Sequence, residues 1–381
     1  MASTPSAAEE VRLGLGYAEL ALLNGEAVDA TAQASTHLAR AEELGAADLV
    51  ARGNLVLARC LEATGRLDEA IPRFEAALAE ASGTASLVVA TALSRCHRTV
   101  GDLARAVEVG DRMRERIAAE ELGRTDESIQ LSMTVVMAHV ERGDLDIAAR
   151  LCAEAVAVAE STGSPVARGS AYWNTSVVHS QRGEVESAID HAQRALALLG
   201  ETADARNLAR LRLEVGRLHL HLPEPRPEEA VHHVERARTE LAGSQASTGE
   251  IAHADTVLSG AVLMTGDPER AVLLAEAAVA GASPEAPLEV AEAHLAHGRA
   301  LAALGDEGAA RSAFGRVVAL LHEVEQRNRF VAQDWVELAA QFEALGDLPA
   351  AVHALRQACL ASGLQPSPHG QAVERGARRA P

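Results

Sequence analysis

Eight glycines along this chain are each followed five residues later by an alanine. They are Gly25, Gly65, Gly101, Gly143, Gly183, Gly266, Gly305 and Gly346, paired with Ala30, Ala70, Ala106, Ala148, Ala188, Ala271, Ala310 and Ala351. Successive glycines are 40, 36, 42, 40, 83, 39 and 41 residues apart, the 83 being two periods with one signal missing. Such punctuation means one helical hairpin stacked many times. It excludes a single central core, because each unit in an array of this kind packs only on its neighbours.

Each unit reads as helix, Gly-acid turn, helix. Between Asp48 and Thr64, Leu49, Leu55, Leu57 and Leu61 recur at helical spacing. Gly65 then supplies the left-handed backbone that ends a helix cheaply. The segment Leu67 to Ala81 follows, with Ala70, Ile71, Phe74 and Ala77 on one face. Acids follow the other seven glycines, as Glu26, Asp102, Asp144, Glu184, Asp267, Asp306 and Asp347, where they favour the positive end of the second helix; Arg66 is the exception. Seven residues before the glycines lie Ala18, Ala58, Ser94, Val136, Ser176, Ser259, Gly298 and Ala339, all small but one. Small residues on both sides of the turn let the two helices of a hairpin approach closely.

The missing signal falls near residue 223, where Pro223-Glu-Pro-Arg-Pro227 replaces the Gly turn between Gly216 and Ala230. Proline is accepted in turns and at helix starts, so this predicts a lengthened connection and no domain break. The reading is therefore nine hairpins over residues 7–362, flanked by a disordered N-terminus (1–6) and a disordered tail (363–381).

Composition narrows the function class. Apolar residues make up 48 % and aromatics 2 %, which suits closely packed helices. No apolar run approaches the length of a membrane span, and MASTPSAAEE has no basic or apolar stretch of an export signal. With four scattered cysteines and no CxxC, a cytoplasmic protein is expected. Net charge is −19, so direct nucleic-acid binding by this chain is not expected. All 35 basic residues are arginine.

The small residue, Gly-Asp turn and alanine at fixed offsets resemble the tetratricopeptide repeat, with further matches at Phe74, Tyr172, Phe314 and Trp335. The mean period of about 40 exceeds the usual 34 of that repeat. Longer helices of this kind are similar to the repeats of bacterial regulators, of the MalT-like type and of those behind Xre/Cro-like helix-turn-helix domains. Ala171-Tyr-Trp-Asn-Thr-Ser-Val177, Asn207-Leu-Ala-Arg-Leu-Arg212 and Asp334-Trp-Val-Glu-Leu338 look like the second group. The resemblance implies an all-α, right-handed superhelical solenoid that binds proteins or peptides in a groove lined by first helices. It also implies a setting in signal sensing and oligomerisation within a transcription regulator, a homodimer being admissible. No segment reads as helix-turn-helix, so the expectation is a sensor region whose DNA-binding domain is absent from this chain, or else a stand-alone adaptor scaffolding a protein complex.

On that resemblance the groove stripe runs 13, 10, 6 and 3 residues before each glycine. It holds Arg59, Arg95, Arg98, Arg210, Arg217 and Arg299, with Met133, Met137 and Trp173 as an apolar interruption. Such a ladder would suit an acidic peptide, because guanidinium groups bind carboxylates bidentately; equally, these arginines could simply neutralise an acidic surface. Four residues before the turn, four consecutive repeats carry His97, His139, His179 and His219. Other repeats place apolar residues there, which makes this a core slot; buried imidazoles in it would resist protonation and loosen the array in acid. Helix spacing of about 8–10 Å separates these histidines too widely for a shared metal. No P-loop, HExxH or Gly-x-Ser-x-Gly is present, so neither an enzyme nor a cofactor is expected.

Overall fold

The computed structural model describes residues 6–162, 164–200, 205–244, 246–324 and 329–364. The helices are α1 (Ala7–Leu23), α2 (Ala27–Glu43), α3 (Ala47–Ala63), α4 (Leu67–Glu80), α5 (Gly83–Thr99), α6 (Leu103–Ala119), α7 (Asp126–Arg142), α8 (Leu145–Thr162) and α9 (Pro165–Gln181). They continue as α10 (Val185–Leu199), α11 (Ala205–Leu220), α12 (Pro227–Ala242), α13 (Thr248–Met264), α14 (Pro268–Gly281), α15 (Pro287–Ala303), α16 (Glu307–Glu323), α17 (Arg329–Ala344) and α18 (Leu348–Ala361). No strand occurs among the described residues, and the eighteen helices form the nine expected hairpins. The expected disordered segments fall, at 1–5 and 365–381, outside the described residues; Ser6 caps α1 in a reciprocal capping box with Glu9.

The turn chemistry works as the residues dictate. All eight punctuating glycines have φ between 73° and 89°, a conformation that costs glycine little and other residues more. Aspartate and glutamate differ at the next position. Asp102, Asp267, Asp306 and Asp347 accept a hydrogen bond from the N–H three residues on, whereas Glu26 and Glu184 make no such cap. The shorter side chain reaches the helix N-terminus; the longer one passes it. At the proline-rich turn, Pro227 opens α12 at its first position and Arg226 N–H donates to the His219 carbonyl at 3.0 Å. The lengthened connection stands.

The two small-residue columns meet across each hairpin. Ser94 Oγ donates to the Ala106 carbonyl at 2.9 Å, and Ser259 Oγ to that of Ala271 at 2.8 Å. At Gly298 a Cβ would lie 2.4 Å from the Phe314 ring, and at Gly216 it would lie 2.4 Å from Val234 Cγ2. The wholly buried Phe314 thus fits only because its partner lacks a side chain.

The chain forms two compact units, Met1–His139 with Arg150–Ala167, and Val140–Ala149 with Arg168–Pro381. In the first, one continuous apolar cluster runs from Val11 to Val135. In the second, one cluster spans Ala209–Ala300 and another Ala291–Ala361.

Candidate functional site

Six residues before the turn, the side chain is exposed or half-buried in every hairpin from Glu19 to Ala340, so the stripe expected to face a ligand is accessible. Its arginines are mostly engaged. In the first unit Arg95 on α5 pairs with Glu62 on α3 at 2.7 Å, and Arg52 on α3 pairs with Glu19 on α1 at 2.7 Å. Arg59 is exposed and has no ion pair among the described residues; Arg98 is half-buried. Met137 and Trp173 are half-buried. Met133 corrects the expectation: it is 3 % exposed and belongs to the core, because the position ten before the turn rotates inward in several hairpins.

The second unit gathers charge. A cavity of about 640 Å³ is lined by Arg210, Glu214, Arg217, Glu250 and His253, with Leu213 and Val257 among its apolar walls. Arg217 donates twice to Glu214, at 2.9 and 2.8 Å, and the Glu214 charge raises its pKa. Arg210 pairs with Glu250 at 2.8 Å; Arg206 also pairs with Glu250 and, with Ser247 N–H and Arg210, holds that carboxyl down at about 2. His253 Nδ1 lies 3.6 Å from Glu292. Burial opposes its charge, but Glu292, with Glu289 behind it, outweighs burial and raises the pKa. Arg299 is half-buried, without an ion pair among the described residues.

Asp334 on α17 lies in a segment quoted for the resemblance but is not among the candidate site residues read from the sequence. It occupies the place twelve before the turn, where seven other hairpins bury Gly53, Val89, Leu131, Ala171, Leu211, Ala254 and Ala293. Its Oδ2 is buried without a hydrogen-bond partner. Burial, then the negative charges of Glu292 and Glu337, push its pKa up to about 8, against the pull of Arg217. Its signal in the sequence is an acid in an otherwise apolar column, visible only when that column is aligned.

The histidine column divides. His97, His139 and His219 are buried; His179 is half-buried and its Nδ1 lies 2.6 Å from Glu184. Burial lowers the pKa of His97 and of His219. Two members stack on a histidine of the following helix: His179 on His191 at 4.8 Å and His219 on His233 at 5.7 Å. His233 is lowered to about 4 by burial and by its histidine neighbours, and both His219 Nδ1 and His233 Nδ1 are buried without a partner. Among the described residues, no group of three or more His, Cys, Asp or Glu is placed to hold a metal ion. All four cysteines are free, and no described helix is long and apolar enough to cross a membrane.

The sequence matches no family model and no curated protein. Solved structures do match. A Rap protein complexed with competence and sporulation factor superposes with a TM-score of 0.62 at 15% identity, over 93% of this chain and 98% of that one. A signal-transduction ATPase with a tetratricopeptide repeat sensor, from Pyrococcus horikoshii, gives 0.57 at 14% identity, over 93% of this chain and 52% of that one. The apo quorum sensor NprR from B. thuringiensis gives 0.50 at 11% identity, over 84% and 99%. At these identities the likeness is one of fold. In fold, this chain is an all-α superhelical solenoid of tetratricopeptide-like hairpins.

Proposed function

We infer that this chain is a peptide- or protein-binding module whose ligand seats on the first helices α11, α13, α15 and α17. The observation that carries this reading is the half-buried charge cluster of Arg217, His253, Glu292, Asp334 and Glu337, one or two residues from each of those helices. Packing alone gives no reason to place ionisable groups there, because enclosing charge costs free energy. The fold likeness to a Rap protein complexed with competence and sporulation factor, to the quorum sensor NprR and to a tetratricopeptide repeat sensor supports the same reading. Its setting is the sensing region of a bacterial transcription regulator in the cytoplasm, acting by binding and without a catalytic step.

The ligand chemistry follows from the surplus charge. Arg217 and Arg210 are already matched by Glu214 and Glu250, while Glu292, Asp334 and Glu337 have no arginine partner of their own. Burial is the first cause of the raised Asp334 pKa, but Glu292 and Glu337 add to it and outweigh the pull of Arg217. The cationic group expected of the ligand is therefore one that faces these two glutamates. Of the arginines expected to receive an acidic ligand, Arg59 and Arg299 remain without an ion pair among the described residues. Fluorescence anisotropy against peptide pools of positive, neutral and negative net charge tests this. The cationic pool is expected to bind, and Glu292→Gln with Glu337→Gln to weaken it at least tenfold. Preference for the acidic pool overturns the cation assignment, and saturable binding by none overturns the module reading.

A further inference from the structure

The first helices α3, α5, α7, α9, α11 and α13 have a second buried face, which on α3 and α7 meets the preceding hairpin. Its positions lie twelve, eight and five residues before the turn. A Cβ on Gly53 would lie 3.0 Å from Leu38 Cδ1 of α2, and Val135 Cγ2 sits 2.5 Å from where a Cβ of Gly110 on α6 would be. Eight before the turn, Leu57, Leu93, Val135, Val215, Leu258 and Leu338 are all buried. On α1 the same three positions hold Leu13, Tyr17 and Leu20, which are 57, 64 and 57 % exposed. The face that internal first helices bury is thus apolar on α1 as well, and there it is exposed.

The other end shows the complementary half. Nine residues after the turn, second helices bury Ala34, Phe74, Cys152, Val234, Ala275 and Phe314. On α18 that position is Leu355, 48 % exposed, with Val352 and Leu348 exposed beside it along the helix. The internal contacts set the register that would join the two faces. Gly110, nine after its turn, meets Val135, eight before the next; Leu38, thirteen after, meets Gly53, twelve before. In the same register Leu355 meets Tyr17, and Cys359 meets Leu13. The charges agree: α1 carries Glu9, Glu10 and Glu19 against Arg12, whereas α18 has no acidic residue and carries His353 and Arg356.

We propose that copies of this chain associate head to tail, α18 of one against α1 of the next, repeating the contact that successive hairpins make within the chain. The interface is small and each copy carries a net charge of −19, so association is weak and strengthens as salt screens the repulsion. Because the two faces differ, each contact leaves one α1 face and one α18 face free, so further copies add as concentration rises.

Sedimentation velocity on the full chain, between about 1 and about 300 μM, tests this in the weak-interface range. The parent is expected to gain average mass continuously, without a plateau at the dimer. Tyr17→Arg and Leu355→Arg are each expected to weaken association at least tenfold, with circular dichroism unchanged because both sites are exposed. Mixed in equal amounts they regain association but stop at a dimer, each supplying one intact face. Leu13→Cys treated with oxidised glutathione, which takes up the two electrons, is further expected to give disulfide-linked multimers through Cys359, the one exposed cysteine, and Cys359→Ser to abolish them. A parent monomeric at every concentration overturns the proposal. So does loss of association in only one of the two arginine variants, which marks a symmetric dimer, or a mixture that stays monomeric.

Discussion

The same helical stripe carries charge in the first helices of both units, with different consequences. On α1, α3 and α5 it holds Arg52–Glu19 and Arg95–Glu62, pairs that tie one hairpin to the next across open surface. On α11 to α15 it holds Arg217, His253 and Glu292, with Glu214, Asp334 and Glu337 beside it, and there titration is displaced: Asp334 up to about 8, His253 and Arg217 upward. Repeat position therefore does not decide what a charge does. The immediate neighbours do: Glu214 raises Arg217 and Glu292 raises His253 against burial, whereas at Asp334 burial itself is the first cause.

The sharpest test of that difference is Asp334. Its folded-state pKa of about 8 lies far above the ordinary carboxylate value, so between those limits the native state binds a proton that the unfolded state has lost. Stability from this group is therefore present at low pH and is lost as pH rises from about 4 toward about 8. Asp334→Asn, which keeps the shape and drops the charge, is expected to match the parent near pH 4. Near pH 8.5 it is expected to exceed the parent by on the order of 3 kcal/mol, after discounting for solvent screening. Denaturant midpoints across that range read it; parallel pH curves for the two proteins would show that the enclosed cluster is no different from the open one.

A matched pair of truncations is the next largest contrast. Arg217→Ala leaves Glu214 half-buried without its two hydrogen bonds and is expected to cost about 2 kcal/mol. Arg95→Ala removes a pair whose arginine is 51% exposed, and about 0.5 kcal/mol is expected. Equal losses in urea unfolding would break the comparison.

How much of this is legible in the sequence follows from what each column has to satisfy. Turn glycines and small residues answer to local geometry, backbone sign and helix separation, so they repeat in register; the repeat alone places Gly216 and Gly298 at the close approach of their hairpins. The arginine stripe is likewise legible as accessible surface. Its partners are not, because Glu62, Glu19 and Glu250 come from a neighbouring hairpin 33 to 40 residues away and obey no repeat. Met133 departs from the stripe because one helical position can face inward or outward with a small rotation. Asp334 is the reverse: it breaks a pattern visible in sequence, yet its meaning depends on Glu292 and Glu337 lying close in space.

The smallest expected effect lies within the histidine column, which repeats the contrast at single-residue scale. His219 is buried and stacked on His233, while His179 keeps part of its ring in solvent and has Glu184 at 2.6 Å. Burial lowers the His219 pKa; Glu229 opposes this and Arg226 adds to it. With a depressed folded-state pKa, the unfolded chain takes up the proton first. The stability His219 and His233 contribute is thus complete above about pH 6.5 and is lost as pH falls toward the His233 value of about 4. Asp334 acts with the opposite sign over part of that window, so only difference measurements isolate the histidines. His219→Phe is expected to reduce the acid loss by about 1 kcal/mol between pH 7 and 5, and His179→Phe, at the half-buried member of the column, is the comparison. If both variants shift the acid limb alike, the column acts through its position in the repeat, and enclosure is not what distinguishes its members.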